Sequence, residues 1–503
     1  MTQSTPTRVL RGAHVIDPAL GIDRIVDITL RDGKIAAVGD GPGPADAEIV
    51  DLKGHYLTPG WIDLHVHAYG TLGFADPDSI GIYQGVTTFV EAGGPGIGTL
   101  DEFVALMEGR TRTTLYAGPY LRPMGIVGLN FIEGDIRSLT DIPIAQWMDF
   151  MAAHPGLLRY LKIGAFGSYG KGPLKMGKGL AETLGLPLYV HIGEHQQQKG
   201  DDSSYEIFRI AEAGDIITHL YHNNRTGVLD RDGKVLPLIW DAQKRGVLFD
   251  IGFGGYNFAW SVAEKAYAQG LVPHLISSDL QQFNVIGPTF SLANVMSIFL
   301  RLGMTLGEVI ERVTVAPAKA LKLADRAGSL KPGMAADVTV FRVDAGDFEL
   351  VDTYNSTRKA DRQIVPVMTF KDGERIDCDM VRCQDERNWL LQIAETHIPP
   401  AAERLTPAQI AFLATLRGAL ERIEWDASSV EKFDLWKAIA LQDVFHAVRR
   451  QHDLPLKPAL TAVFDCFLEH PFTMQIGLFL LRLDRTLALE RLEQVTARKR
   501  KVA

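Results

Sequence analysis

Two histidines separated by one residue close the strand-like run Gly60-Trp61-Ile62-Asp63-Leu64-His65-Val66-His67. Alternate residues of a β-strand project to one face, so His65 and His67 can offer ring nitrogens to a single metal ion. A solvated strand face would carry the same pair, and the spacing by itself does not choose between them. Its company does. Lys162 follows Leu157-Leu158-Arg159-Tyr160-Leu161, His191 follows Leu186-Pro187-Leu188-Tyr189-Val190, His219 follows Asp215-Ile216-Ile217-Thr218, and Asp279 follows Leu275-Ile276-Ser277-Ser278. Imidazoles and a carboxylate delivered in this way can hold divalent cations and move protons.

One polar residue at the C-terminal end of each successive apolar strand is what a (β/α)₈ barrel requires, because its active site is assembled from those ends. The intervening segments support that rhythm: 179–184 and 260–269 have helical character and precede strand-like runs. Short β-like runs at 8–10, 28–30 and 35–38, with Asp32-Gly33 as a hairpin turn, come before the barrel. The same texture returns at Asp337-Val338-Thr339-Val340-Phe341 and Val365-Pro366-Val367-Met368-Thr369-Phe370, followed by Asp372-Gly373. The predicted organisation is a small β-sandwich domain from both flanks (1–58 and 325–377), a catalytic barrel (59–324) and a helical C-terminal domain (385–503). In the last, Thr406-Pro407-Ala408-Gln409 and Ser428-Ser429-Val430-Glu431 read as capping boxes. Its aromatics, Phe433, Trp436, Phe445, Phe464, Phe467, Phe472 and Phe479, read as core.

At 503 residues the chain exceeds one compact domain, and 46% hydrophobic content supplies ample core. A net charge of -9 argues against nucleic-acid binding, which needs a basic surface. The basic tail Arg498-Lys499-Arg500-Lys501 reads as a solvated helix end. Three cysteines without zinc-type pairing, and an opening with no charged-then-apolar leader, fit a cytoplasmic protein. No apolar run reaches the ~18 residues of a membrane span, so 476–483 is expected as a buried helix.

The chain resembles the amidohydrolase superfamily, and within it the deacetylase-type metallohydrolases, across roughly residues 9–377. The motifs that carry the likeness are Leu57-Thr58-Pro59-Gly60-Trp61-Ile62-Asp63-Leu64-His65-Val66-His67, Gly85-Val86-Thr87-Thr88, Val190-His191-Ile192-Gly193-Glu194, Asp215-Ile216-Ile217-Thr218-His219, Gly328-Ser329-Leu330-Lys331-Pro332-Gly333 and Ala336-Asp337. The resemblance implies two divalent ions, zinc foremost, with manganese, iron or nickel as alternatives. His65, His67 and Asp279 would hold the inner ion, and His191 and His219 the outer one. Lys162, carboxylated by CO₂ to a carbamate, would bridge ions roughly 3.5–4 Å apart. A hydroxide bridging such ions is available near neutral pH to attack an amide or ester carbonyl, with Asp279 transferring the proton.

Loops after the strands should contact a small-molecule substrate: Tyr169 and Lys171, Glu194 and His195, His222 through Asn223, Asn224 and Arg225, and the segment ending in Asn257. Arg225 or Lys171 could pair with a substrate carboxylate. Where related deacetylases tend to carry histidines, this chain has Phe253 and Gln281, which leaves the ligands intact and the substrate open. Deacylation of small amides or esters is the leading expectation. Opening of a cyclic amide or imide, as in dihydroorotases and hydantoinases, is the alternative that uses the same machinery. A non-catalytic scaffold is the third. The helical extension lies outside the resemblance and could mediate self-association or bind a partner.

Overall fold

The computed structural model describes residues 6–39, 41, 43–69, 72–74, 76–107, 111–123, 125–126, 142–165, 170–193, 202–383, 393–425, 435–469 and 476–500. Its strands are β1 (Arg8–Arg11), β2 (His14–Asp17), β3 (Ile22–Ile25), β4 (Ile28–Arg31), β5 (Lys34–Val38), β6 (Glu48–Asp51), β7 (Tyr56–Pro59), β8 (Trp61–Val66), β9 (Val86–Gly96), β10 (Thr114–Tyr120), β11 (Leu161–Gly164), β12 (Leu188–His191), β13 (Ile216–Thr218), β14 (Leu248–Phe249), β15 (Val338–Val351), β16 (Thr357–Lys371) and β17 (Glu374–Asp377). The chain divides into two compact units, Met1–Tyr69 with Gly73–Cys383, and Gly70–Leu72 with Gln384–Ala503.

In the first unit β8 to β14 form a parallel sheet in sequence order. Residues 275–280 close it into a ring: Leu275 bridges to Asp250 just past β14, and Leu280 bridges back to Val66 on β8. Two backbone bonds reinforce the seam, His67 N–H to the Leu280 carbonyl at 2.9 Å and Asp279 N–H to the His65 carbonyl at 2.7 Å. β8 and β9 are buried on both faces, as parallel strands covered by helices must be. One layer of residues, with Ile62, Leu64, Val90, Tyr189 and Ile216 from the strands and Tyr160 and Leu275 beside them, packs together. Residues of opposite parity, such as Phe89, Leu161, Val190 and Ile217, share a cluster with helix residues such as Trp147, Leu174 and Ile239. The helical segments anticipated from sequence appear as Lys171–Leu184 and Trp260–Ala268.

One expectation shifts. Lys162 does not close a strand over 157–161: β11 begins only at Leu161, and upstream the chain touches the sheet through a single bridge between Leu158 and Ala117. Lys162 therefore sits inside a ladder, opposite Tyr120 and Tyr189.

Outside the ring are a four-stranded sheet, β5-β4-β1-β6, and a six-stranded sheet, β17-β16-β15-β7-β2-β3. The antiparallel pairing of β7 with β15 joins strands from before and after the barrel in one sheet. One apolar cluster draws on both sheets, with Leu10, Ile28 and Ile35 alongside Leu57, Val338 and Phe370. The two Asp-Gly hairpins form as anticipated: Asp32 and Gly33 have φ of 51° and 71°, and Asp372 and Gly373 have 50° and 78°. Positive φ at both central positions matches the turn to the strand twist, which is why aspartate and glycine occupy them.

In the second unit Thr406 caps the helix Pro407–Leu420 through a reciprocal box with Gln409. The Ser428–Glu431 box lies outside the described residues. Further helices are Leu435–Gln451, Leu456–Phe467, Ile476–Arg482 and Arg485–Arg500. Phe445, Phe464, Phe467 and Phe479 are buried core, whereas Phe433 and Phe472 lie outside the described residues, as does the side chain of Trp436. Among the described residues no helix is long and apolar enough to cross a membrane.

Candidate metal centre

The ring brings His65, His67, Lys162, His191, His219 and Asp279 together. Lys162 Nζ lies 2.9 Å from His65 Nε2. Asp279 Oδ1 is 3.0 Å from His67 Nε2 and 3.4 Å from His65 Nε2. The His219 ring centroid is 5.3 Å from that of His65 and 4.2 Å from that of His191. His65, His67 and Asp279 each offer one ligand atom, all within 4.8 Å of one another.

Local backbone explains how neighbouring elements aim these groups inward. The β8–β9 register slips between Asp63 and Val66, an irregularity of the kind that re-aims side chains beside a site. His219 and Asp279 adopt left-handed backbone, with φ of 69° and 49°. Such conformations persist when surrounding structure holds them. Gly254 is required nearby, because a Cβ there would lie 2.2 Å from Asp279 Oδ2.

Burial sets the charges. It is the largest cause holding His65, His191 and His219 well below the usual imidazole range, with the Lys162 charge adding to it at all three. Neutral imidazoles are the form that binds metal. Burial would lower His67 too, but hydrogen bonding and charge from Asp279 and Glu91 together outweigh it and push it up to about 9. Lys162, 2% exposed, is pushed down by burial to about 7, against the opposing charges of Asp279, Asp250 and Glu91. A neutral amine is the form that can add CO₂.

The donor set fits divalent ions. His219 Nδ1 is 2.6 Å from the Gly252 carbonyl and donates to it, which leaves the Nε2 lone pair unprotonated. That buried Nε2 has no hydrogen-bond partner among the described residues. A histidine held by one nitrogen and unsatisfied at the other is the arrangement of a metal ligand.

The loop candidates fare unevenly. Asn257 is buried, with Nδ2 3.4 Å from Asp279 Oδ2. His222 is buried against Gly193 and accepts from the Asn224 N–H at 3.1 Å. Asn223 is exposed and bonds through its N–H to the Tyr354 hydroxyl, and Arg225 is half-buried. Lys171 is exposed and pairs with Glu206 at 3.1 Å, so the structure spends its charge there. Tyr169, Glu194 and His195 lie outside the described residues. At the two departures, Phe253 is buried against Phe258, while Gln281 donates to Asp279 Oδ1 at 3.0 Å.

Several residues escaped the sequence reading. Glu91, buried within β9, accepts from the N–H groups of Ala68, Tyr69 and Gly94 and stands 3.5 Å from His67 Nδ1. Asp63 accepts from the Ser278 backbone and hydroxyl and so ties β8 to the closing segment; burial pushes its carboxyl up to about 7. Tyr189 and Asp250 lie beneath His65. The available signal was an acidic residue within an otherwise apolar strand.

A family model described as a deacetylase-like composite domain matches residues 330–377. The chain is 34% identical to a deacetylase of Agrobacterium fabrum over 342 residues, covering 67% of this chain and 82% of that protein. It is also similar to the crystal structures of an adenine deaminase (TM-score 0.66, 30% identity, 73% of this chain and 99% of that one) and of a dihydroorotase (TM-score 0.65, 30% identity, 74% and 98%).

Proposed function

This chain belongs to the amidohydrolase superfamily and is a metal-dependent hydrolase acting on C–N bonds; from that premise we propose that it removes the acyl group from a small N-acyl or O-acyl substrate. The observation that carries the reading is the buried cluster of His65, His67 and Asp279 with Lys162 and the stacked pair His191 and His219 beside it, and His219 Nε2 left for a ligand. In this reading His65, His67 and Asp279 would hold one divalent ion, zinc foremost, His191 and His219 would hold a second, and Lys162, carboxylated to a carbamate, would serve both. When bound, the ions supply Lewis acidity, which acidifies water and polarises the scissile carbonyl.

The chain's own groups do the rest. Asp279 takes the proton of the attacking water and returns it to the leaving nitrogen or oxygen. Gln281 and Asn257 orient its two oxygens. Glu91 steadies His67, and the loop carrying His222, Asn223 and Arg225 faces the substrate.

The likeness to a deacetylase supports the linear substrate. A second reading, opening of a cyclic amide, draws on the likeness to a dihydroorotase structure. The test is hydrolysis by zinc- or manganese-loaded protein of N-acyl amino acids of both hands, O-acyl hydroxy acids and cyclic amides, with Asp279→Asn as control. Turnover of linear substrates that disappears in the variant is expected. Turnover of cyclic substrates alone would select the second reading, and a protein that takes up no metal would leave the scaffold.

The same reading assigns 1–58 with 325–377 to a β-sandwich domain, 59–324 to the catalytic barrel and 385–503 to a helical domain that mediates self-association or binds a partner. It places the enzyme in the cytoplasm. Limited proteolysis that cuts near residue 385 and leaves an active fragment would support those boundaries.

A further inference from the structure

Beneath the candidate centre lies a second layer of buried polar groups. The Tyr189 hydroxyl is 2.9 Å from His65 Nδ1 and 2.6 Å from Asp250 Oδ2. The same Asp250 oxygen receives the hydroxyls of Thr218 and Ser277, each at 2.7 Å. Ser277 accepts from the Gly252 N–H, so its own proton is directed to Asp250. All these side chains are fully buried. Their places in the chain are regular: Tyr189 stands two residues before His191, Thr218 one before His219, and Ser277 two before Asp279. Asp250 follows β14, a strand that supplies none of the six candidate ligands.

We propose that Tyr189 and Asp250 form a relay that holds His65 as the Nδ1–H tautomer and thereby sets how tightly the inner metal binds. The protons decide the direction. Asp250 Oδ2, gathering three hydroxyls, is an acceptor, so the single proton of Tyr189 goes to it. The Tyr189 oxygen can then only accept from His65, which puts the ring proton on Nδ1 and turns the Nε2 lone pair toward Asp279 and Lys162. The ring of Tyr189 also supports the lysine, since Lys162 Nζ lies 4.5 Å from its centroid, and Tyr160 stacks beside it at 4.3 Å. Tyr189 and Asp250 are positioning residues that act through His65.

The inference rests on His65 being a ligand, and its test separates the two ideas. Tyr189→Phe keeps the ring beneath Lys162 and removes the hydroxyl that accepts from His65 and donates to Asp250, leaving Thr218 Oγ1, at 3.5 Å, as the nearest other oxygen to His65 Nδ1. Tyr160→Phe removes a phenol of the same stack whose hydroxyl donates to the Leu64 carbonyl, away from the His65 ring. Chelator competition on the full-length protein should show zinc binding weakened about 10–100-fold in Tyr189→Phe, the usual consequence of losing an outer-layer partner. Tyr160→Phe should shift it less than about threefold. Wild-type affinity in Tyr189→Phe, or equal losses in both variants, would overturn the relay and leave the metallohydrolase reading standing. A wild type that takes up no metal would overturn both. Because Tyr189→Phe could fail to fold, the zinc-loaded wild type labelled with ¹⁵N-histidine gives an independent readout. A proton on His65 Nδ1 supports the relay, and a proton on Nε2 refutes it.

Discussion

The barrel ring and the helical unit each bury a basic side chain, His219 in one and Arg491 in the other, and the two are treated in opposite ways. In the helical unit Arg491 is 2% exposed, and its guanidinium donates to the carbonyls of Cys466, Ala394 and Glu395 at 3.0, 2.6 and 3.2 Å. Its donors are matched by acceptors near a helix C-terminus, where carbonyls lack partners of their own. In the ring His219 is equally buried, yet its Nε2 has no partner among the described residues although the rings of His191 and His65 stand 4.2 and 5.3 Å away. A buried polar group that is satisfied holds the fold together. One that is left unsatisfied among like groups marks where an external ligand belongs.

The comparison breaks most visibly at Asp279. Asp279→Asn should lower kcat/KM about 10²–10⁴-fold, the range for a lost proton-transfer group, with the fold intact by circular dichroism. A loss below tenfold would remove Asp279 from proton transfer. Next in size is Arg491: Arg491→Met strands the buried carbonyls of Cys466 and Ala394 and should cost about 1–3 kcal/mol in urea unfolding. Metal content should not change; if it falls, the satisfied-versus-unsatisfied distinction fails.

His219→Asn sharpens the same contrast. The asparagine amide can still donate to the Gly252 carbonyl, while the atom with no protein partner is gone. The stability of chelator-treated protein should then fall within the ordinary range for a point substitution, about 0.5–3 kcal/mol, while elemental analysis records fewer ions per chain. A large loss of stability without loss of metal would make His219 a structural histidine. The smallest effect is at the helix cap, where Thr406→Ala should cost about 1 kcal/mol of stability and leave hydrolysis unchanged.

The candidate ligands could be singled out in the sequence because their determinants are local. His65 and His67 stand at strand spacing, and His191, His219 and Asp279 each follow an apolar run. Lys162 was found by the same rule although β11 starts later than its apolar run suggests. The Asp-Gly hairpins and the Thr406 box were legible for a like reason, since each is decided within four residues. Tyr189 and Asp250 were not, because in the chain a tyrosine inside an apolar strand and an aspartate beside one look like ordinary core and turn residues.

The sequence by itself determined which groups could be ligands and which strands must carry them, since periodicity and turn chemistry act between near neighbours. Only the tertiary structure decided that residues 275–280 return to β8 and close the ring, and that β7 meets β15 across nearly the whole barrel. It also decided that Glu91 stands behind His67 and Tyr189 behind His65. These contacts join residues 24 to more than 250 positions apart in the chain. Their energy depends on geometry that exists only after the strands have paired, and no local pattern in the chain encodes it.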